Sequence, residues 1–381
     1  MAHRATRRRL AVGLAALAVV TSGLTACAAG AARFVPGVGP GAGASRSAGA
    51  PTSAATDAAG ATFTLSAVGD TIMASAPKFL PPNGGRDLFA SVESSLGADL
   101  QMANLEEPLT NATTSPKCGN PPAANCFAYR APTSYANVLH DAGFDLVNIA
   151  NNHTLDYGTT GRSDTERSLT DAGVAYTGPP GMITTVTVKG IRVAVLGFAP
   201  YAWANDLRDI AAGQALVRRA KQHADVVIVQ AHMGGEGAAY QHVKPGPEIF
   251  LGENRGDAIA FSHAMIDAGA DIVIGHSPHV LRAMEFYKGH LIAYSLGNFT
   301  GYHALSSNGP NGISMILHVT LRRDGSFVSA TMVPIEMAAP GVPRLDPSDR
   351  AIPLVSQLTA ADFPTTGARI SASGAITPIT G

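Results

Sequence analysis

Short apolar runs recur along the chain and alternate with segments of helical periodicity. The runs FTLSAVGD, ADLQMANLE, FDLVNIANNH, ADVVIVQAH and ADIVIGH are rich in Val, Ile and Leu and mostly lack polar alternation. This pattern is typical of strands buried on both faces of a sheet. Between them lie DLFASVESSL, TSYANVLHDAG, SDTERSLTDAG, LVRRAKQHAD and GDAIAFSHAMIDAG, which suit amphipathic helices. The chain is therefore predicted to have an α/β fold.

Two stretches depart from this alternation and predict antiparallel hairpins. They are TVTVKGIRVAVLGFA and the stretch from HLIAYSLGNF through ISMILHVTLRRDGSFVSATMVPIEM, with turns at Lys189-Gly190 and Asp324-Gly325. Together the patterns predict a mixed-sheet α/β sandwich over residues 63–340. A tail rich in Pro, Ala and Ser follows over residues 341–381.

Residues 1–27 are expected to be the signal peptide of a lipoprotein. Four arginines precede an apolar run over residues 10–24 that is too short to span a bilayer, and small residues stand directly before Cys27. This order resembles the lipobox of bacterial lipoproteins, in which the cysteine is acylated. A cleaved signal with an incidental cysteine is the alternative. Acyl chains on Cys27 would anchor the protein to the outer face of the cell membrane, since each methylene buried in the bilayer contributes about 0.8 kcal/mol to the free energy of membrane binding.

The amino-acid composition predicts a linker and argues against one class of ligand. Residues 28–62 consist mostly of Ala, Gly, Ser, Pro and Thr, which predicts a flexible linker. The formal net charge is −1 and only 14% of residues are charged, without a basic stripe, which argues against nucleic-acid binding. Cys118 and Cys126 lie close together in a Pro- and Gly-containing loop, and in an exported protein they are expected to form a disulfide rather than a metal site.

The polar residues suited to chemistry stand at the carboxyl ends of the predicted strands. They are Asp70, Glu106, Asn152, His153, His232, His276 and His279. In open α/β sheets these strand ends converge at one edge, where ligands bind. One such residue alone could simply cap the following helix. Carboxylates, an amide and imidazoles gathered together instead match the ligands that Zn, Mn or Fe prefer.

Six motifs in order carry a resemblance to a known family. SAVGDTIM, ANLEEPL, NIANNHTLDYG, VQAHMGGE, GADIVIGHSPHV and IAYSLGNF resemble the CapA family of poly-γ-glutamate capsule synthesis proteins, whose fold is similar to that of calcineurin-like metallophosphoesterases. The resemblance runs from about residue 63 to residue 299. It implies a capsule-related role at the cell surface and a site shaped like a two-metal phosphoesterase centre.

The resemblance also implies a role for each site residue. It makes Asp70 and His279 ligands of a first metal ion, Glu106 a bridging carboxylate, and Asn152, His232 and His276 ligands of a second ion. His153 would face the substrate as a general acid, with Asp156 as the partner of its other ring nitrogen. Asn151 is expected to hydrogen-bond the backbone of its own turn.

The chain departs from the phosphoesterase pattern at two positions. Those enzymes usually begin with D-x-H, but the second residue after Asp70 is Ile72, which cannot bind metal. The first site is therefore a ligand short, and we expect one tightly bound divalent ion and a second, weaker one. Glu236 is either an additional ligand or a solvated carboxylate. Ser277 stands where the family commonly has a histidine.

Two functions remain open on the sequence. The first is a metal-dependent hydrolase or transferase that acts at a phosphoester or amide of an anionic envelope polymer such as poly-γ-glutamate. The second is a non-catalytic polymer-binding, assembly or export factor with a remnant metal site. Either protein would have the polymer, or other capsule synthesis components, as its partner.

Overall fold

A computed structural model describes residues 60–119, 123 and 126–379 of the chain. The predicted signal peptide, Cys27 and nearly all of the predicted linker lie outside the described residues. None of the helices in the described part is both long enough and apolar enough to cross a membrane.

The described residues form nineteen strands and six α-helices. The strands are β1 (Thr62–Ile72), β2 (Leu100–Leu105), β3 (Leu146–Asn148), β4 (Ala175–Thr177), β5 (Thr184–Val188), β6 (Ile191–Ala199), β7 (Asn205–Asp206), β8 (Val226–His232), β9 (Ile249–Phe250), β10 (Glu253–Asn254), β11 (Ile272–His276), β12 (Met284–Tyr287), β13 (His290–Ala293), β14 (Asn298–Gly301), β15 (Ile313–Arg322), β16 (Phe327–Ala338), β17 (Val342–Leu345), β18 (Arg369–Ile370) and β19 (Ala375–Thr377). The helices are α1 (Glu93–Leu96), α2 (Tyr135–Asp141), α3 (Gly158–Ala172), α4 (Ile210–Lys221), α5 (Ala258–Asp267) and α6 (Ala351–Asp362).

Two mixed sheets contain most of these strands. The first has the order β18-β19-β16-β15-β1-β2-β3-β4, with β14 also paired to β1 and β17 to β16. The second has the order β12-β13-β11-β8-β6-β5, with β7 paired to β6. Strands β1 to β4 run parallel to one another, as do β6, β8, β11 and β13. The predicted apolar runs are thus the central parallel strands of both sheets.

The hydrophobic core lies in three layers. Side chains from both sheets meet in the central layer, where Leu65 of β1 and Ile228 of β8 are fully buried. The outer face of the second sheet packs against α4 and α5, and the outer face of the first sheet packs against α1, α2 and α3. Each parallel strand therefore buries both of its faces, which explains its continuous apolar sequence. The predicted mixed-sheet α/β sandwich is confirmed.

Most helices and strands form where the sequence predicts them, and two predicted elements differ. Asp209 and Asp257 cap α4 and α5 by accepting hydrogen bonds from the backbone N–H groups of Ala212 and Ala260. The first predicted helix, DLFASVESSL, is α-helical only over Glu93–Leu96, because its apolar residues already reach the core through turns. The stretch HLIAYSLGNF is divided between the sheets, since β13 pairs with β11 and β12 while β14 pairs with β1.

The C-terminal stretch contributes elements to the fold. Strand β17 pairs with β16, and β19 pairs with both β16 and β18. Helix α6 packs Ala351, Ile352 and Val355 into the core between the sheets. The described residues after 341 therefore extend the first sheet and cover part of the central layer.

Candidate metal centre

The strand register places polar residues in rows at one edge of each sheet. Asp70 of β1 pairs with Asn104 of β2, which pairs with Asn148 of β3. In the second sheet His276 of β11 pairs with His232 of β8. All five residues are buried, with relative exposures of 0–1%. Such rows arise because parallel strands end together, so residues distant in sequence meet at their carboxyl ends.

Asp70 lies between groups from both sheets. Its Oδ1 accepts a hydrogen bond from Asn104 Nδ2 at 2.8 Å, and the backbone N–H of Ser277 faces both carboxylate oxygens at 3.3–3.4 Å. His279 Nδ1 lies 3.1 Å from Oδ2, and His276 Nδ1 lies 3.8 Å from Oδ1. Burial alone would raise the pKa of Asp70, but the hydrogen bond and charge of His279 and the neighbouring histidines lower it to about 2. Asp70 is thus held as a carboxylate.

Glu106 follows β2 and faces the same space. Its Oε1 lies 3.8 Å from His232 Nε2 and 3.6 Å from His279 Nε2, so it stands between predicted ligands of the two ions. Both carboxylate oxygens are buried without a hydrogen-bond partner among the described residues. Burial, opposed by His279 and reinforced by Asp70 and Glu236, raises the pKa of Glu106 well above its usual range. A carboxylate in this position calls for a cation.

His232 and His276 offer neutral imidazoles to the centre. Burial lowers the pKa of His276 to about 4 and that of His232 well below its usual range. Gln230 Oε1 lies 3.1 Å from His276 Nε2, so a proton on Nε2 leaves the Nδ1 lone pair directed at the centre. Metal binding requires such deprotonated nitrogens.

His279 is held at a sharp reversal of the chain. Ser277 and His279 adopt left-handed φ angles of 97° and 57°, a conformation that costs non-glycine residues about 1–3 kcal/mol and concentrates at functional sites. Asn298 Oδ1 lies 2.9 Å from His279 Nδ1. Burial would lower the pKa of His279, but Glu106 and Asp70 raise it to about 10. The carboxylates of Glu106 and Asp70 therefore favour a positive charge on the His279 imidazole.

The donor set fits a divalent metal ion. Asp70, Glu106 and His232 each offer a ligand atom, and these atoms lie within 4.8 Å of one another. Five atoms of predicted ligands are buried without a hydrogen-bond partner in the described part of the chain, namely Glu106 Oε1 and Oε2, Asn152 Oδ1, His232 Nε2 and His276 Nδ1. Unsatisfied buried polar atoms are costly, and a divalent cation held by them would offset that cost.

The structure shows the surroundings of Ile72 and of Glu236, the two residues on which the ligand count of the first site depends. Ile72 is fully buried among apolar residues and offers no ligand. Glu236 is neither free nor fully solvated, because its Oε1 pairs with Arg255 Nη2 at 3.0 Å. Its Oε2 lies 3.9 Å from His279 Nε2. The nearly buried Arg255 also pairs with Glu253, so it ties Glu236 to the loop that contains β9 and β10.

His153 and Asp156 form a pair beside the centre. His153 Nδ1 lies 2.7 Å from Asp156 Oδ2, so the remaining ring nitrogen is Nε2. Lys117 Nζ contacts Asp156 Oδ1 at 2.5 Å, His153 Nδ1 at 3.2 Å and the carbonyl oxygen of Asn152 at 3.1 Å. Burial lowers the pKa of His153, although Asp156 partly offsets this effect. The imidazole is thus oriented by a carboxylate that is itself neutralised by a lysine.

A disulfide joins Cys118 and Cys126 next to this pair. Lys117 directly precedes the bridge, and Tyr129, shortly after it, donates its backbone N–H to Asp156 Oδ2 at 2.7 Å. The two chain segments that leave the bridge therefore converge on the same carboxylate.

The asparagines of NIANNHTLDYG form a buried amide network under the site. Asn148 Nδ2 donates to Asn104 Oδ1 at 3.0 Å, and Asn151 Nδ2 donates to the carbonyl oxygen of Leu105 at 2.8 Å. Asn151 Oδ1 also accepts from the backbone N–H of His153 at 3.1 Å, which is the local turn bond that the sequence led us to expect. The network connects the loop after β3 to the end of β2.

Sequence reasoning missed Asn104, Gln230 and Lys117. Asn104 and Gln230 lie in strands near their carboxyl ends, the same signal that identified Asp70 and His232. No local signal marks Lys117, because its contacts with His153 and Asp156 span 36 and 39 positions of the sequence.

Known proteins resemble this chain over most of the described part. Residues 64–302 match the family model described as bacterial capsule synthesis protein PGA_cap. The capsule biosynthesis protein CapA of Bacillus anthracis is 33% identical over 261 residues, 62% of this chain and 59% of the relative. The PGA biosynthesis protein CapA of Bacillus subtilis is 31% identical over 256 residues, 62% of this chain and 63% of the relative. The chain thus matches less than two thirds of the length of each of these relatives.

Solved structures align more distantly. A putative 5′-nucleotidase from Staphylococcus aureus aligns with a TM-score of 0.42 and 17% identity, covering 78% of this chain and 58% of that chain. A 5′-nucleotidase precursor from Thermus thermophilus aligns with a TM-score of 0.40 and 13% identity, covering 79% of this chain and 59% of that chain.

Proposed function

The chain belongs to the bacterial capsule synthesis protein family PGA_cap, and on that premise we propose that it acts on an anionic envelope polymer such as poly-γ-glutamate. The family relationship expected from the six motifs is confirmed. We assign the proposed action to a divalent metal site formed by Asp70, Glu106, His232, His276 and His279, with Asn152 as a further ligand. The reaction is hydrolysis or group transfer at a phosphoester or amide of the polymer.

One observation carries this proposal: buried ligand atoms without partners stand beside an oriented histidine. A purely structural cluster would pair its buried polar atoms internally. Glu106 and His232 instead leave buried ligand atoms unpaired within a group of three possible metal ligands, while Asp156 orients His153. This combination suits a metal-assisted reaction with a separate proton donor.

The residues divide the chemistry between them. A divalent ion, when bound, supplies Lewis-acid stabilisation for the negative charge that develops at the reacting group. Asp156 holds His153 Nδ1, so Nε2 is the atom that gives a proton to the leaving group. Lys117 pairs with Asp156 and holds it in place. The amide network from Asn104 to Asn151 holds the loop of His153 at a fixed position relative to β1 and β2.

Turnover by the purified full-length chain in detergent tests the proposed reaction. With Mn²⁺ or Zn²⁺ added, we expect cleavage of poly-γ-glutamate or of a generic phosphodiester, abolished by chelation and restored by metal. The two substrates distinguish amide from phosphoester chemistry. Tight metal binding without turnover of either substrate would contradict the catalytic proposal.

A non-catalytic role in polymer binding, assembly or export is the second candidate. The observation that favours it is Ile72, which leaves the first metal ion with fewer ligands than the phosphoesterase pattern provides. In that case the metal site would stabilise the fold and the polymer would bind without being cleaved. The same turnover assay, combined with polymer binding, separates the two candidates.

The location that we propose is the outer face of the cell membrane. The support comes from the sequence before residue 28, in which an arginine-rich start, an apolar run and small residues precede Cys27. A surface location also suits a protein that acts on a capsule polymer.

Replacing the anchor cysteine should release the protein from membranes. The wild-type chain should sediment with the membrane fraction, whereas Cys27→Ser should be found in the soluble extracytoplasmic fraction, because no acyl chain partitions into the bilayer. Cys118→Ser serves as a control for cysteine replacement and should remain with the membranes. Retention of Cys27→Ser in membranes would contradict a lipid anchor.

A further inference from the structure

A groove with a volume of about 590 Å³ opens beside the His153–Asp156 pair. Its lining includes Lys78, Phe79, Ser115, Phe127, Tyr129 and His303. We refer to this feature as the aromatic groove. Its residues come from the loop after β1, the loop around the disulfide and the loop after β14, none of which supplies a predicted metal ligand.

The groove adjoins the candidate active site through Tyr129 and Ser115 of its lining. The Tyr129 ring lies 4.8 Å from the His153 ring, centroid to centroid, and the Tyr129 backbone N–H donates to Asp156. Ser115 Oγ donates to the backbone carbonyl oxygen of Asp156. A chain lying in the groove would therefore pass close to the His153–Asp156 pair.

The charged side chains that line the groove are all basic. Its described residues include a lysine and a histidine but no aspartate or glutamate, although acidic residues slightly outnumber basic ones in the whole chain, 28 to 27. Lys78 is exposed and forms no ion pair with any residue that the structure describes. Its Nζ lies 4.8 Å from the centre of the Phe79 ring. An unpaired cation over an acid-free surface is complementary to an anionic ligand.

Aromatic faces provide the rest of the surface. Phe127 is 58% exposed and lies nearly parallel to Tyr129, at 6.2 Å between centroids. Phe79 stacks on His303 at 4.3 Å. Exposed aromatic rings gathered in one patch commonly mark a binding surface, because they bury a large apolar area on contact.

We propose that the aromatic groove binds an extended polymer that carries carboxylates along a backbone with short aliphatic segments. The methylene pairs of the backbone pack on Phe127 and Phe79, the carboxylates face Lys78 and the hydroxyl groups of the lining, and the chain continues towards His153. The inference rests on the proposed function for the polymer, and it adds the place where the polymer lies and the residues that recognise it.

Binding of labelled poly-γ-glutamate to the full-length chain, measured at low and high ionic strength, tests the groove. Lys78→Glu reverses a surface charge and should weaken binding roughly tenfold, and Phe127→Ser should weaken it severalfold. Lys244→Glu reverses the charge of an exposed lysine outside the lining and should bind like wild type. Metal content should be the same in all four proteins, which checks that the variants fold.

The outcomes separate this inference from the proposed function. Equal binding by Lys78→Glu and Lys244→Glu would overturn the groove, even if wild type cleaves the polymer. Tighter binding of a neutral glucan than of poly-γ-glutamate, without salt dependence, would also overturn it and indicate a glycan site. Salt-sensitive polymer binding that is lost in Lys78→Glu supports the groove, even if no polymer is cleaved.

Discussion

Glu106→Gln is expected to abolish tight metal binding and to raise the stability of the metal-free protein. Glu106 Oε1 lies within 4 Å of a ring nitrogen of both His232 and His279, so Glu106 would hold the predicted ions together with these histidines. Without metal, its two buried oxygens have no hydrogen-bond partner among the described residues. A neutral amide avoids the cost of burying an ionisable carboxyl group here, so the substitution should stabilise the metal-free fold by about 1–3 kcal/mol.

The measurements are metal content after purification and denaturant unfolding in the presence of chelator. Wild type should retain about one tight ion per chain, as expected when the first site lacks the ligand that Ile72 replaces. Added metal should stabilise wild type against unfolding, because it binds only the folded chain, and should have little effect on Glu106→Gln.

The adjacent glutamate provides a matched control. Glu107 is also buried, but one of its oxygens accepts a hydrogen bond from the backbone N–H of Met73, so it supports the loop after β1. Glu107→Gln preserves an acceptor for that bond and should keep the metal. Retention of metal by Glu106→Gln, or its loss in Glu107→Gln, would contradict the assignment of Glu106 as the ligand.

The strand ends were predictable because two local signals coincide there. A fully apolar run identifies a central parallel strand, and a polar residue at its carboxyl end must lie at the ligand-binding edge. Asp70, His232 and His276 all satisfy both conditions, and all three lie at that edge. The same logic does not depend on knowing how the two sheets pack against each other.

The supporting contacts were not predictable, because they depend on that packing and on loops. Gln230 orients His276 from the neighbouring strand, 46 positions earlier in the chain. Arg255 converts Glu236 from a free carboxylate into one half of an ion pair, and its own position depends on the loop containing β9 and β10. Such contacts are set by tertiary structure, whereas sequence periodicity reports only on each element separately.

His153→Ala is expected to slow metal-dependent turnover by about a hundredfold or more while leaving the tight ion in place. His153 Nδ1 is already bound by Asp156, and its ring is not part of the Asp70, Glu106 and His232 cluster. Loss of the ring should therefore remove a proton donor and not a ligand. Turnover and metal content, measured on the same preparation, distinguish these two effects.

Two further variants test the assignment of His153 as the proton donor. Asp156→Asn keeps the shape of the carboxyl group but removes the charge that orients His153, so we expect a smaller loss of turnover and normal metal content. His140→Ala removes an exposed histidine on α2 and should change neither quantity. With a substrate whose leaving group needs no proton, His153→Ala should turn over nearly as fast as wild type, because general acid catalysis then contributes little. Loss of the ion in His153→Ala would instead make this histidine a metal ligand, and the proton donor would have to be sought elsewhere at the site.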